Sequence, residues 1–213
     1  EGGESRNENA LFNIIRLKAD VFKESYLGFC LADKEIDGSF NRVAGVDGTF
    51  KFKNKYFFNF QALGSKTKFE EGATDIAPAL YADFYYFTKH WGGGAFWKSI
   101  HPDFEASSGF INRVDYRSFG AYTSFHLYPE KRYLNQVTFN FNAGQRYAYF
   151  EDTLLDQWLR AGVFFRLTEF NQVSISYENY MERYGGIDFN KNNFSLNGDT
   201  NFIGWLPFGF YFQ

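Results

Sequence analysis

Two neighbouring stretches limit the fold more than any other feature of the chain. From Trp158 to Thr168, Leu159, Ala161, Val163, Phe165 and Leu167 take alternate positions, with Arg160, Gly162, Phe164 and Arg166 between them. From Val137 to Gly144, Val137, Phe139, Phe141 and Ala143 alternate with Thr138, Asn140, Asn142 and Gly144. A period of two belongs to a β-strand, whose side chains point to opposite faces in turn. Each strand therefore has one apolar face and one largely polar face, and the second of these carries two arginines in a single strand. A dry sandwich core would penalise those guanidinium groups heavily. A polar lumen accepts them, while the other face meets lipid. The pattern predicts an all-β fold, an antiparallel transmembrane β-barrel.

The same alternation recurs along the chain. Leu27, Phe29 and Leu31 alternate with Gly28, Cys30 and Ala32; Ala44, Val46, Gly48, Phe50 and Phe52 alternate with Gly45, Asp47, Thr49 and Lys51. Phe58, Phe60 and Ala62 flank Asn59 and Gln61. Phe119, Ala121, Phe125 and Leu127 alternate with Gly120, Tyr122, Ser124 and His126, and Val173, Ile175 and Tyr177 with Ser174, Ser176 and Glu178. An apolar face of five alternate residues covers about 27 Å along the strand at ~3.3 Å per residue. Tilted, it spans roughly 20 Å, close to the ~25 Å apolar band of outer-membrane barrels.

Connections predict a second regularity. Short turns are expected at Lys23–Ser25, Lys53–Lys55, Lys89–Trp91, Pro129–Arg132 and Glu169–Asn171, with longer polar loops at Asp33–Asn41, Ser65–Pro78, Ser99–Asn112, Gln145–Asp156 and Met181–Asn193. Strict alternation of short and long connections matches periplasmic turns and external loops. About eleven strands are expected, the first over Asn13–Val21, with a twelfth beginning near Phe208. The first strand then descends from the outer side, so residues 1–213 are expected to be a single barrel domain lacking strands at one or both ends.

Composition fits a two-faced wall. The chain holds 29 Phe and 15 Tyr among 213 residues, yet mean hydropathy is only −0.41, because nearly every ring has a polar or glycine neighbour. A net charge of −3, from 22 basic and 25 acidic residues spread along the chain, leaves no basic stripe for a nucleic-acid partner. Cys30 is the only cysteine, so no internal disulfide is possible, and a small wall residue is its plain reading. No run approaches the ~18 apolar residues of a spanning helix. Glu1 to Asn9 are polar and do not resemble a signal peptide, so a mature chain or a fragment is expected.

The residues expected to face the lumen are Arg16, Lys18, Asp47, Lys51, Asn140, Asn142, Arg160, Arg166 and Glu178. They either form a selectivity lining or pair with one another across strands. Tyr56, Phe57, Tyr85, Tyr86, Tyr128, Tyr133, Trp158 and Trp205 are candidates for aromatic girdles at the headgroup level. Asp33, Glu35, Asp37 and Gly38 open like a calcium loop, but the twelfth position is Ala44 where a bidentate glutamate is required. His90, His101 and His126 match no zinc spacing. Gly92–Gly94 lack the strand–loop–helix context of a phosphate loop and fit relief of crowding in the wall. No metal, cofactor or catalytic set is therefore predicted. Ser124 and His126 share a strand face, the one pattern that admits a barrel-embedded esterase or phospholipase.

Three segments, NRVAGVDGTFKF (41–52), FNFQALGSKTK (58–68) and HPDFEASSGFINRVDYRSFG (101–120), resemble a family of uncharacterised bacterial outer-membrane barrels. FNIIRLKADVFKESYLGF (12–29) is similar to a hairpin of that family with the pattern RL…D…S..G. The resemblance covers most of the chain and is most specific in DFEASSGFINRVDY (103–116). It implies an outer-membrane barrel with more strands than this chain holds, following an amino-terminal domain similar to family-nine carbohydrate-binding modules. It supplies no catalytic residues. The expected function is a porin-like channel, or the membrane anchor of a surface glycan-handling protein. Its expected partners are outer-membrane lipid, a glycan or small solute, and other chains. A soluble β-sandwich carbohydrate-binding module is the alternative from a different class.

Overall fold

The computed structural model describes residues 10–69, 72–73, 75–109, 111–129, 131–168, 171–203 and 206–212. Twelve long strands and one two-residue strand form a single antiparallel sheet. They are β1 (Leu11–Phe22), β2 (Ser25–Ile36), β3 (Ser39–Phe52), β4 (Tyr56–Phe69), β5 (Gly72–Ala73), β6 (Ala77–Phe87), β7 (Trp91–Ile100), β8 (Tyr116–Leu127), β9 (Gln136–Tyr147), β10 (Leu154–Thr168), β11 (Asn171–Tyr184), β12 (Ile187–Ile203) and β13 (Leu206–Phe212). Each long strand pairs with its sequence neighbour, and β5 adds only to β4. The up-and-down order is that of a barrel wall. Among the described residues no ladder joins β1 to β13, and every position of β1 is exposed. No second sheet is present among them, so the sandwich expected under the soluble alternative, which needs two sheets face to face, is not formed.

Residues directly opposite in an antiparallel ladder share a face, so the registers carry one face from edge to edge. A single apolar row reads Phe125–Phe139–Val163–Ile175–Leu196 across β8 to β12. On the other side, Leu17–Phe29–Val46–Ala62–Leu80 continue that face across β1 to β6. Nothing in the described structure covers it: Phe29, Val46, Phe84, Trp97, Phe119 and Phe139 are each about two-fifths to half exposed. A continuous apolar face of this breadth far exceeds the few hundred Å² that monomeric soluble proteins leave open.

Two of the expected long loops are hairpins instead. β2 and β3 meet at Asp37–Gly38, with φ of 43° and 78°, and β11 and β12 meet at Gly185–Gly186, with φ of 58° and 80°. Paired left-handed residues of this kind make type I′ turns, which suit Asp-Gly and Gly-Gly and match the twist of adjoining strands. The polar residues read as loops at 33–41 and 181–193 pair across those hairpins. Arg42 holds both Asp33 (2.9 Å) and Glu35, Arg183 holds Asp188 (2.6 Å), and Lys191 holds Glu182 (2.9 Å). Short and long connections therefore do not alternate strictly. The expected short turn at 129–132 is also longer, occupying 128–135 with a bridge between Lys131 and Leu134.

The longest connection, 101–115, folds back over the polar face. Phe104 is only 3 % exposed and packs with Val43, Ala77, Ala79, Ile100 and Tyr116, side chains from β3, β6, β7 and β8. The Glu105 amide donates to Ser65 Oγ (3.1 Å), the Ser107 amide to Asn41 Oδ1 (2.8 Å), and Asn41 Nδ2 to the Glu105 carbonyl (3.1 Å). Further along, Arg113 reaches Asp156 on β10 at 3.2 Å. In a flat sheet β3 and β10 lie about 29 Å apart at ~4.8 Å per strand. The loop thus reaches across six strand spacings on the polar side alone. In a wall that turns its apolar face outward, this polar, loop-covered face is the inner, concave one.

Candidate functional site: the concave polar face

All nine residues expected to face a lumen fall on this one face. Asn142, Arg160 and Glu178 are consecutive register partners, and Asn140 lies opposite Gly162 in the next row. Arg166 faces Gln136 and Gln172. On the other side of the sheet Arg16 lies opposite Cys30, Lys18 opposite Gly28, Gly28 opposite Asp47, and Lys51 opposite Phe57. The ladder Asp47–Gln61–Tyr81–Lys98–Ser118–Arg146–Asp156 joins the two groups, so they share one continuous surface.

Pairing, more than a free ring of charge, organises these groups. Arg16 grips Asp47 with two bonds, Nη2 to Oδ2 at 2.7 Å, and Arg160 holds Glu178 at 2.9 Å. Lys51 pairs with Glu24 in the β1–β2 turn, and its ammonium holds that carboxyl below the usual carboxylate range. Lys18 lies 3.8 Å over the Tyr26 ring and Arg166 5.9 Å from the centroid of Phe164. Asp156, 1 % exposed, bridges Arg146 (2.5 Å) and Arg113 (3.2 Å), which ties the in-folded loop to the wall. Neither Asp156 nor this loop contact was legible in the alternation, because a buried acid between two arginines leaves no periodic signal.

Trp158, expected in a girdle, is instead on the concave face, where its Nε1 donates to Asn142 Oδ1 at 2.6 Å. Phe57 and Tyr85 are also concave, stacked with centroids 4.6 Å apart. Alternation fixes this: all three share parity with the polar positions of their strands. Tyr56 and Tyr86 do face outward near the short turns, 4.8 Å apart, with Trp91 5.4 Å from Tyr86. Tyr128 and Tyr133 belong to the 128–135 connection. Trp205 lies outside the described residues.

Two glycines explain how large rings lie against the concave wall. Gly120 and Gly144 are register partners; Phe96 covers the first and the Trp158 indole the second. A Cβ at Gly120 would come within 2.7 Å of Phe96, and one at Gly144 would collide with the indole. The two rings are within 11° of parallel, with centroids 6.5 Å apart. Replacing Gly144 with Val is therefore expected to destabilise the fold by about 1–3 kcal/mol through overpacking. A lowered urea midpoint checks this, and the loss should shrink in a Trp158→Ala background, where the collision is gone.

Ser124 and His126 do meet, with Ser124 Oγ 3.3 Å from His126 Nε2. The other ring nitrogen faces Thr138 Oγ1 at 3.0 Å and Gln136 Nε2 at 3.4 Å, with no carboxylate contact among the described residues. A Ser–His pair needs an acceptor on that nitrogen to set the tautomer, and a donor set for the oxyanion. Thr138 Oγ1 can accept from Nδ1–H, but a neutral hydroxyl does not stabilise an imidazolium as a carboxylate would, so the geometry stops at a Ser–His pair. The segment from Asp33 to Gly38 that opened like a calcium loop is the Arg42-bound hairpin described above.

No protein-family model matches the chain, and no curated protein matches it. A solved structure reported as "Unveiling the Mechanism Behind the in-meso Crystallization of Membrane Proteins" is similar over 96 % of this chain and 82 % of that one, at 15 % identity and a TM-score of 0.38. A likeness at that level carries no argument about this protein.

Proposed function

We propose that the chain is part of the wall of a bacterial outer-membrane β-barrel that passes a small solute or anchors a surface glycan-handling protein. The observation that carries this reading is the division of the sheet. One face is apolar and uncovered from β1 to β12, and the other is polar, concave and partly filled by residues 101–115. Lipid is the medium that suits the first face, because an antiparallel wall hydrogen-bonds its backbone within itself and can turn only side chains to hydrocarbon. Water suits the second. The resemblance at 41–52, 58–68 and 101–120 supports the outer-membrane location and a glycan-related partner domain.

Within such a barrel the 101–115 loop narrows the passage from inside. Insertion of the purified full chain into planar bilayers should give discrete conductance steps. Shortening the loop, with residues 103–113 replaced by a short Gly-Ser linker, should enlarge those steps at least twofold. A protein that folds in membranes, seen as a faster-running unboiled band on gels, yet never conducts would favour the anchor. A monodisperse monomer in detergent-free buffer would defeat both forms of the proposal.

A further inference from the structure

We infer that the concave wall between β8 and β11 holds a binding subsite for a neutral, hydroxyl-rich ring, the size of one sugar unit. This deepens the channel reading and rests on the concave face being wetted. A cleft of about 360 Å³ opens there, lined by Tyr122, Asn140, Asn142, Arg160, Phe164 and Ser174 and floored by Gly162. That volume is within the range of small-molecule sites, roughly 300–1,000 Å³.

Three features select the ligand class. First, aromatic surface and planar hydrogen-bonding groups alternate over a short distance. Asn142 binds the Trp158 indole through Oδ1, which leaves its amide donors available, and Trp158 and Phe96 lie nearly parallel on the adjoining wall. A pyranose has an apolar face of C–H groups and an equatorial rim of hydroxyls, so it is matched by rings beside amides. Second, the one cation in the cleft is already neutralised, because Arg160 is 2.9 Å from Glu178. The pair still presents guanidinium donors and carboxylate acceptors to hydroxyls, but it gives an anion no net attraction. Third, the Asn140 side chain has no hydrogen-bond partner among the described residues and stands exposed beside Gly162, where a Cβ would narrow the floor.

The test uses the full chain and maltohexaose. In planar bilayers the sugar should interrupt the ionic current at millimolar concentration, and Asn140→Ala should weaken that block at least tenfold, each block being measured against the same variant's own sugar-free current. In detergent micelles maltohexaose should shift the tryptophan emission, and Trp158→Phe should remove the shift. Conductance with no effect of maltohexaose on current or fluorescence overturns the subsite and leaves the channel intact. A fluorescence shift in a protein that never conducts supports the subsite and overturns the channel. Block by potassium gluconate at lower concentration than by maltohexaose overturns the assignment to a neutral ligand.

Discussion

Phe139→Arg is expected to destabilise the protein in lipid by about 2–4 kcal/mol, whereas Asn140→Arg leaves stability within about 0.5 kcal/mol. The two residues are neighbours in β9 but face opposite ways. Phe139 sits in the row Phe125–Phe139–Val163–Ile175, midway down the apolar face and 46 % exposed. An arginine there must enter hydrocarbon. Asn140 lies between Ser124 and Gly162 on the concave side, where water and polar groups receive the charge. Reversible urea unfolding in lipid vesicles measures both. In a water-soluble sheet the contrast would vanish, since a side chain already half open to water gains little penalty from a charge. Equal, small effects at the two positions would therefore count against the lipid assignment.

The second large effect concerns the loop. Asp156→Ala should cost about 1–3 kcal/mol, because Arg146 and Arg113 lose their shared counter-charge while their side chains, 28 % and 40 % exposed, remain partly screened by water. The same change should free the 101–115 segment. Trypsin cleavage after Arg113 in the intact membrane protein should then accelerate well over tenfold, with the strands still protected. Unchanged cleavage would mean that Phe104 and the Asn41 and Ser65 contacts hold the loop by themselves. The milder Asp156→Asn keeps the shape and one acceptor, so it should lie between wild type and alanine in both measurements.

Much of this wall was legible from alternation alone. The nine polar residues from Arg16 to Glu178 share one face because parity is conserved across an antiparallel ladder, provided each strand's register is regular. The eleven strands and the start of a twelfth near Phe208 that alternation predicts correspond to the twelve long strands, the last of which begins at Leu206. What alternation does not carry is pairing between polar residues. Asp33–Arg42 and Arg183–Asp188 read as loop chemistry, and only the turn pairs Asp37–Gly38 and Gly185–Gly186 could have announced hairpins there. The girdle expectation failed at Trp158, Phe57 and Tyr85 for a related reason. Nearness to a strand end sets a ring's depth, but parity decides which medium it meets. The inward course of residues 101–115 had no local signal at all, since it depends on Phe104 finding Val43 some sixty residues away.

On the proposed reading, one face of this sheet meets lipid and the other meets water. A nitroxide scan of positions 137 to 143 in a Cys30→Ala background, with the protein reconstituted in vesicles, separates the two faces. A wall between lipid and water gives a period of two. Labels at 137, 139, 141 and 143 should collide mainly with lipid-soluble oxygen, and labels at 138, 140 and 142 mainly with a water-soluble nickel chelate. Chelate access at 139 and 141 equal to that at 140 and 142, or a scan with no alternation, would contradict it.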